Sequence, residues 1–309
     1  MMMIMIIMMM QICRIEADAF RAALPEGGQA KQATAVRAAI SGDDADLLAV
    51  RHSRNIEKPL LPGVTRRYIT DRLCLYLPEN GKVNGTLVYF HGGCWVFGSV
   101  NSCSSFCMAA AKKGLAVVAS NYPLAPENGP SAIIESCMED VRYVMDHADE
   151  WGGSADMVSV GGDSAGGNLS LAVALRWHSR PAIRSLVLYY PVTKAWADGS
   201  SSWKLYGVGY GLDADLMEAG NEAYARDDRR NPLVSPACAD DEALRRLPPC
   251  RTLAAGRDIL LDQGLEFHRR LLNLGIDSKH ETVEGATHLF VTVPGQPTAF
   301  ARAVSFAVE

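Results

Sequence analysis

Gly161-Gly162-Asp163-Ser164-Ala165-Gly166-Gly167 follows a short apolar run, Met157 to Val160, and opens an apolar-periodic stretch, Asn168 to Trp177. This order places a serine on a strand-to-helix turn. In the GxSxG pattern of Gly162, Ser164 and Gly166, the flanking glycines leave room for a cramped backbone that lifts the hydroxyl out of the sheet. The first N–H groups of the new helix then face any negative charge that develops beside it. A bare GxSxG arises by chance in many chains, so its weight here comes from the strand before it and the helix after it.

Outward from this turn, short β-rich runs alternate with longer helical ones from about residue 66, the pattern of a mostly parallel sheet with helices on both faces. Tyr68 to Leu77 reads as an opening antiparallel ribbon. Strands are expected at Thr86 to Phe90, Leu115 to Ser120, Met157 to Gly161, Ser185 to Tyr190, Thr252 to Ala255 and Lys279 to Val283. Helices are expected at Ser102 to Lys112, Ser131 to Ala148, Ala165 to Trp177, Leu261 to Leu274 and Thr298 to Phe306. Ligand chemistry then belongs at the C-terminal ends of the strands. Two segments break the alternation: residues 1–50 read as helical without strands, and 195–230 is a Ser/Gly/Tyr-rich stretch with a helix at Ala214 to Ala225. An insertion of that length at the strand ends reads as functional, and both segments are expected to fold over the sheet as a lid. The expected division is 1–50 and 195–230 as cap, with 51–194 and 231–309 as the sheet-bearing domain.

The 309 residues, 48% hydrophobic, suffice for one large core or a core plus a small accessory layer, and the net charge of −5, with neighbouring basic residues in pairs rather than long runs, gives no reason to expect a nucleic-acid partner. The eight cysteines show neither CxxC pairs nor zinc-ligand spacing, so they read as free thiols in a reducing cytoplasm. Met1 to Met10 is all Met and Ile but lacks a basic n-region and is about half a membrane span. It reads as the apolar edge of an N-terminal helix, with export as the alternative, and no later run reaches span length.

An activated serine needs a base, an acid that orients the base, and donors for an oxyanion. Asp258 follows the strand Thr252 to Ala255, and His288 follows the next one, each in a loop at a strand end. Ser164, Asp258 and His288 are therefore the expected triad, in the order Ser, Asp, His. His52, His147, His178, His268 and His280 lie in or beside predicted elements and read as packing or surface residues. Asp262 is a rival acid one turn beyond Asp258, whereas Asp163 reads as a brace for the serine turn. The loop His91-Gly92-Gly93-Cys94-Trp95 follows Thr86 to Phe90, and its paired glycines bring backbone N–H groups close to a substrate oxygen. Gly93, Cys94 and Ala165 are the expected oxyanion donors. His91 reads as structural.

HGGCW at 91–95, NYPLAPE at 121–127, GDSAGGN at 162–168, NPLVSP at 231–236, RDILLD at 257–262 and THLF at 287–290 occur in that order. With these motifs the chain from about residue 65 resembles the hormone-sensitive-lipase-like branch of the α/β-hydrolases, which includes bacterial acetyl esterases. The resemblance implies an α/β-hydrolase fold with a mostly parallel eight-stranded sheet and a helical cap. It implies hydrolysis of small carboxylic esters with short acyl chains by Ser164, Asp258 and His288, with no metal or organic cofactor, and it admits a homodimer. Rival readings are an arylformamidase or amidase using the same residues and a non-catalytic small-molecule receptor on the same scaffold. The sequence departs from the family pattern twice. Cys94 stands where a third glycine is usual, and its side chain is expected to narrow the acyl pocket. Pro123 stands where an arginine is usual, which leaves the support of that loop open.

Overall fold

Three helices begin the chain in the computed structural model, which describes residues 2–309: α1 (Met2–Ala23), α2 (Gly28–Ile40) and α3 (Ala45–Arg54). Met1, at the head of the Met/Ile run, lies outside the described residues. Then come β1 (Val64–Tyr68), β2 (Leu73–Pro78), β3 (Gly85–Phe90), α4 (Val100–Lys112), β4 (Leu115–Ser120), α5 (Pro130–His147), β5 (Val158–Asp163), α6 (Ala165–Arg176) and β6 (Leu186–Tyr189). The remainder is α7 (Ser201–Leu205), α8 (Ala214–Ala225), α9 (Asp241–Leu244), β7 (Cys250–Arg257), α10 (Leu261–Asn273), β8 (Ser278–Thr287) and α11 (Pro297–Ala307).

The strands form one eight-stranded sheet in the order β1-β2-β4-β3-β5-β6-β7-β8. β2 pairs antiparallel with β1 and β4, and every other pairing is parallel. Strands such as Thr86-Leu87-Val88-Tyr89-Phe90 are buried throughout and mostly apolar because both of their faces are covered. Alternate side chains enter opposite layers. Val88, Phe90, Ala116 and Val118 join the core under α5, α6 and α10. Leu87, Tyr89, Val117 and Ala119 join the one under α4 and α11.

β8 runs well past the expected Val283. A register irregularity between Ala255 and Arg257, opposite Glu284 to Ala286, lets the pair continue until Arg257 meets Thr287. The N-terminal helices divide their attachments. α1 presents Cys13, Ala17 and Phe20, one stripe at helical spacing, to the sheet layer, and Glu16 accepts hydrogen bonds from the N–H and hydroxyl of Thr298 at the start of α11 (2.9 and 2.7 Å). α2 instead packs on α8, joining the N-terminal segment to the 195–230 insertion. Among the described residues no helix is long and apolar enough to cross a membrane.

Candidate active site

Each residue of the expected triad is the first one after a parallel strand: Ser164 after β5, Asp258 after β7 and His288 after β8. Parallel strands end at a common edge, so three side chains far apart in sequence emerge together. His288 Nδ1 lies 2.6 Å from Asp258 Oδ2, and His288 Nε2 lies 3.1 Å from Ser164 Oγ. The other Asp258 oxygen accepts the Leu260 N–H at 3.0 Å, which fixes the carboxylate. Nδ1 therefore donates to the carboxylate, leaving Nε2 to accept from the serine.

Ser164 has φ 54° and ψ −117°, a costly conformation for a residue with a side chain. The turn is held by close packing. A Cβ on Gly162 or Gly166 would collide with the Phe90 carbonyl, so only glycines let β3 and the start of α6 come together. Among the described residues the other non-glycine positive-φ positions are Cys94, Trp95, Tyr190, Leu289 and Arg226. All but Arg226 lie in the loops at this strand edge, where the rest of the structure must hold the strain.

β3 and β5 are neighbours, with Phe90 opposite Gly162, so the loop His91 to Trp95 lies beside the serine turn. Asp163 ties the two together: its Oδ1 accepts from Tyr89 Oη (2.9 Å) and from the Gly92 N–H (3.0 Å). Full burial raises its carboxyl from 3.8 to about 6. Ala165 opens α6, so its N–H is one of the first-turn donors with no helical acceptor. His91 is stacked on Tyr122 at 4.3 Å with Nδ1 on the Gly92 carbonyl, and burial lowers its pKa to about 4. It is a neutral packing ring. The Cys94 side chain is also buried, which pushes its thiol up to about 12, and it faces α8 rather than open space, with Gly220 directly opposite.

Other expectations resolve simply. Asp262 accepts the Ser202 N–H at 2.8 Å and anchors α7, so the rival acid is engaged elsewhere. Trp95 stacks on Tyr224 of α8 at 4.4 Å, the Arg230 guanidinium covers the Trp196 ring, and that of Arg21 covers Tyr210. His52 and His178 are exposed, and His147 stacks on Tyr143. All cysteines are free and all but Cys238 buried. Among the described residues no group of three or more His, Cys, Asp or Glu side chains is arranged to hold a metal ion.

Three supports escaped the sequence reading. Tyr190 packs its ring 4.3 Å from that of His288 and accepts the Val291 N–H on its hydroxyl. Gln296, buried, accepts from the Thr287 N–H (2.8 Å) and donates to the carbonyls of Thr287 and His288 (3.3 Å each). Asn168 accepts from the Trp95 indole (3.3 Å) and donates to the carbonyls of Val192 and Val234 (2.9 and 3.0 Å). Of these only Asn168 carried a signal, as the last residue of the GDSAGGN motif.

A family described as alpha/beta hydrolase fold matches residues 87–292. An arylesterase of Saccharolobus solfataricus is 32% identical over 226 residues, 71% of this chain and 72% of that protein. A carboxylic ester hydrolase of Mycobacterium tuberculosis is 31% identical over 229 residues, 71% of this chain but 60% of the longer relative. Among solved structures, a thermostable esterase from Pseudomonas putida ECU1011 superposes with a TM-score of 0.80 at 25% identity, covering 94% of both chains.

Proposed function

On the premise that this chain belongs to the α/β-hydrolase family and is one of its carboxylic ester hydrolases, we propose that it cleaves short-acyl esters through an acyl-enzyme on Ser164. The observation that carries this reading is the continuous hydrogen-bonded line from Ser164 Oγ through His288 to Asp258, at 3.1 and 2.6 Å, beside the loop of Gly93 and Cys94. In this reading the N-terminal helices and residues 195–230 act as a cap over the site.

His288 takes the Ser164 proton as the hydroxyl attacks the ester carbonyl, and Asp258 holds the imidazole in the useful tautomer. The tetrahedral oxyanion is stabilised by the N–H groups of Gly93, Cys94 and Ala165. Collapse expels the alcohol, which leaves with the proton His288 carries. Water, deprotonated by the same ring, then attacks the acyl-enzyme and frees the acid and the serine. A short acyl group suits the site because Ser164 is only 2% exposed and α8 closes directly on Cys94.

The test is an acyl-length series of nitrophenyl esters combined with fluorophosphonate labelling. Wild type should prefer acetyl to butyryl esters over longer chains and take up the label. Ser164→Ala should lose both turnover and label while keeping its melting temperature within a few degrees. A labelled chain that hydrolyses N-formyl aromatic amines faster than aryl esters transfers the reading to a formamidase. Absence of labelling in wild type removes the acyl-enzyme.

A further inference from the structure

We infer that Arg51, on α3, is a positioning residue for the oxyanion loop: a guanidinium from the N-terminal segment holds the backbone that carries Gly93 and Cys94 in its strained shape. The inference rests on the esterase reading above.

The guanidinium makes a distinctive set of bonds. Its Nε donates to the Val96 carbonyl at 2.7 Å and Nη2 to the Ala125 carbonyl at 2.6 Å. Nη1 and Nη2 also clasp the two Glu127 oxygens at 2.6 and 3.0 Å, and this pairing lowers the pKa of the Glu127 carboxyl. One side chain thus satisfies acceptors in two loops, the one after β3 and the one after β4. The same loops meet again where the Ala125 N–H donates to the Trp95 carbonyl at 3.0 Å.

The loop needs such a clamp. Gly93, Cys94 and Trp95 have φ values of 128°, 52° and 61°, three consecutive positive angles of which two belong to residues with side chains. A run of that kind relaxes unless neighbouring bonds oppose it. Within the loop, the N–H groups of Val96 and Phe97 close a turn on the Gly93 carbonyl at 3.1 and 2.8 Å. Arg51 grips the carbonyl of Val96 in that same turn, so its pull reaches the peptides whose N–H groups face the substrate oxygen. The chemistry selects arginine: its planar fork serves three separate acceptors at once, whereas a lysine ammonium is a compact charge on a flexible stem.

Arg51 also answers the departure at position 123. Pro123 brings neither charge nor N–H to the NYPLAPE loop, and the cation bound to that loop's Ala125 and Glu127 arrives instead from α3, more than seventy residues earlier in the chain.

The experiment compares full-length wild type, Arg51→Lys and Arg51→Ala on nitrophenyl acetate, with melting temperature, kcat, KM and the rate of fluorophosphonate labelling as readouts. For Arg51→Ala, kcat and the labelling rate should fall together by about ten- to a hundredfold, with KM within about twofold of wild type, because misplaced donors act on the transition state. Arg51→Lys should lie between the two, and guanidinium ion at sub-denaturing concentration should restore part of the Arg51→Ala rate. The inference is overturned if kcat is unchanged, or if the loss simply follows the fraction of unfolded protein and guanidinium restores nothing. Should Arg51→Ala fail to fold, wild-type kcat in Arg51→Lys overturns it. A wild-type chain without esterase activity sinks the functional reading instead.

Discussion

The buried carboxyl of Asp163 shows how a single residue can serve the site at the expense of the fold. It holds the Gly92 N–H and the Tyr89 hydroxyl on one oxygen, bracing the serine turn against the neighbouring loop, yet its burial lifts its pKa from 3.8 to about 6. A folded-state value above the unfolded one means that stability is greatest below about pH 4 and declines as pH rises through about 6, where the buried group must ionise. A displacement of this size corresponds to about 3 kcal/mol. Asp163→Asn keeps an oxygen for both donors and removes the ionisation. Its melting temperature relative to wild type should therefore climb between pH 4 and pH 7, by an amount approaching that energy, and then level off. Melting curves across that range decide the matter; a difference that stays flat with pH would show that the folded carboxyl titrates where the unfolded one does, its charge being compensated by the Tyr89 and Gly92 donors.

At the scale of elements, the site depends on how closely α8 approaches the loop after β3. A Cβ built on Gly220 would lie 2.6 Å from Cys94 Cβ and 3.0 Å from the Cys94 carbonyl, so helix and loop are in contact with no spare volume. Gly220→Ala should cost about 1–3 kcal/mol of stability through overpacking, despite alanine's better helix propensity. Cys94→Gly in the same chain removes the shorter contact and should recover part of that loss. Chemical denaturation of the two single variants and the double variant checks this, and strict additivity would refute the contact. The same elements show what could be read in advance. β4 and α8 run from Leu115 to Ser120 and from Ala214 to Ala225 as their apolar patterns predict, and Ser164, Asp258 and His288 were legible because each stands in a loop just after an apolar run. The end of β8 was not: Glu284-Gly285-Ala286 reads as a loop, and only the irregularity in β7 lets pairing continue to Thr287. Arg51 and Tyr190 carried no local signal, since what they hold is 45 to 101 residues away in sequence. The attachment of α1 was equally hidden, because the stripe it buries, Cys13, Ala17 and Phe20, consists of small or isolated apolar residues among charged ones and lies beyond the conspicuous Met/Ile run.

For the molecule as a whole, the governing fact is closure. Ser164, Asp258 and His288 are each no more than 2% exposed, so in the esterase reading proposed above the structure over them governs how a substrate enters. That structure is latched. Gln29 on α2 donates to the Gly211 carbonyl at 2.8 Å and accepts the Asp213 N–H at 2.7 Å, while Arg21 on α1 donates to the Gly209 carbonyl at 2.7 Å and covers the Tyr210 ring at 3.7 Å. Both grips fall on residues 209–213, the loop that brings Gly211 against the His288 backbone. Arg257, the neighbour of Asp258, adds its own bonds to Asp18 of α1 (2.8 Å) and to the Gly285 carbonyl (3.0 Å), so α1 is joined to the ends of β7 and β8 from which Asp258 and His288 emerge. A tight cover favours the reaction by excluding water but slows the arrival of bulky esters. Gln29→Ala removes two bonds from the cover and none from the triad. It should lower stability by about 1–3 kcal/mol, from two hydrogen bonds of ordinary strength. It should also raise kcat/KM for a naphthyl ester severalfold relative to nitrophenyl acetate, because opening limits the larger substrate more. Parallel kinetics on the two esters measure that ratio. If the ratio is unchanged while stability falls as expected, Gln29 fastens the cap without controlling access, and the opening that admits substrate lies elsewhere in the cover.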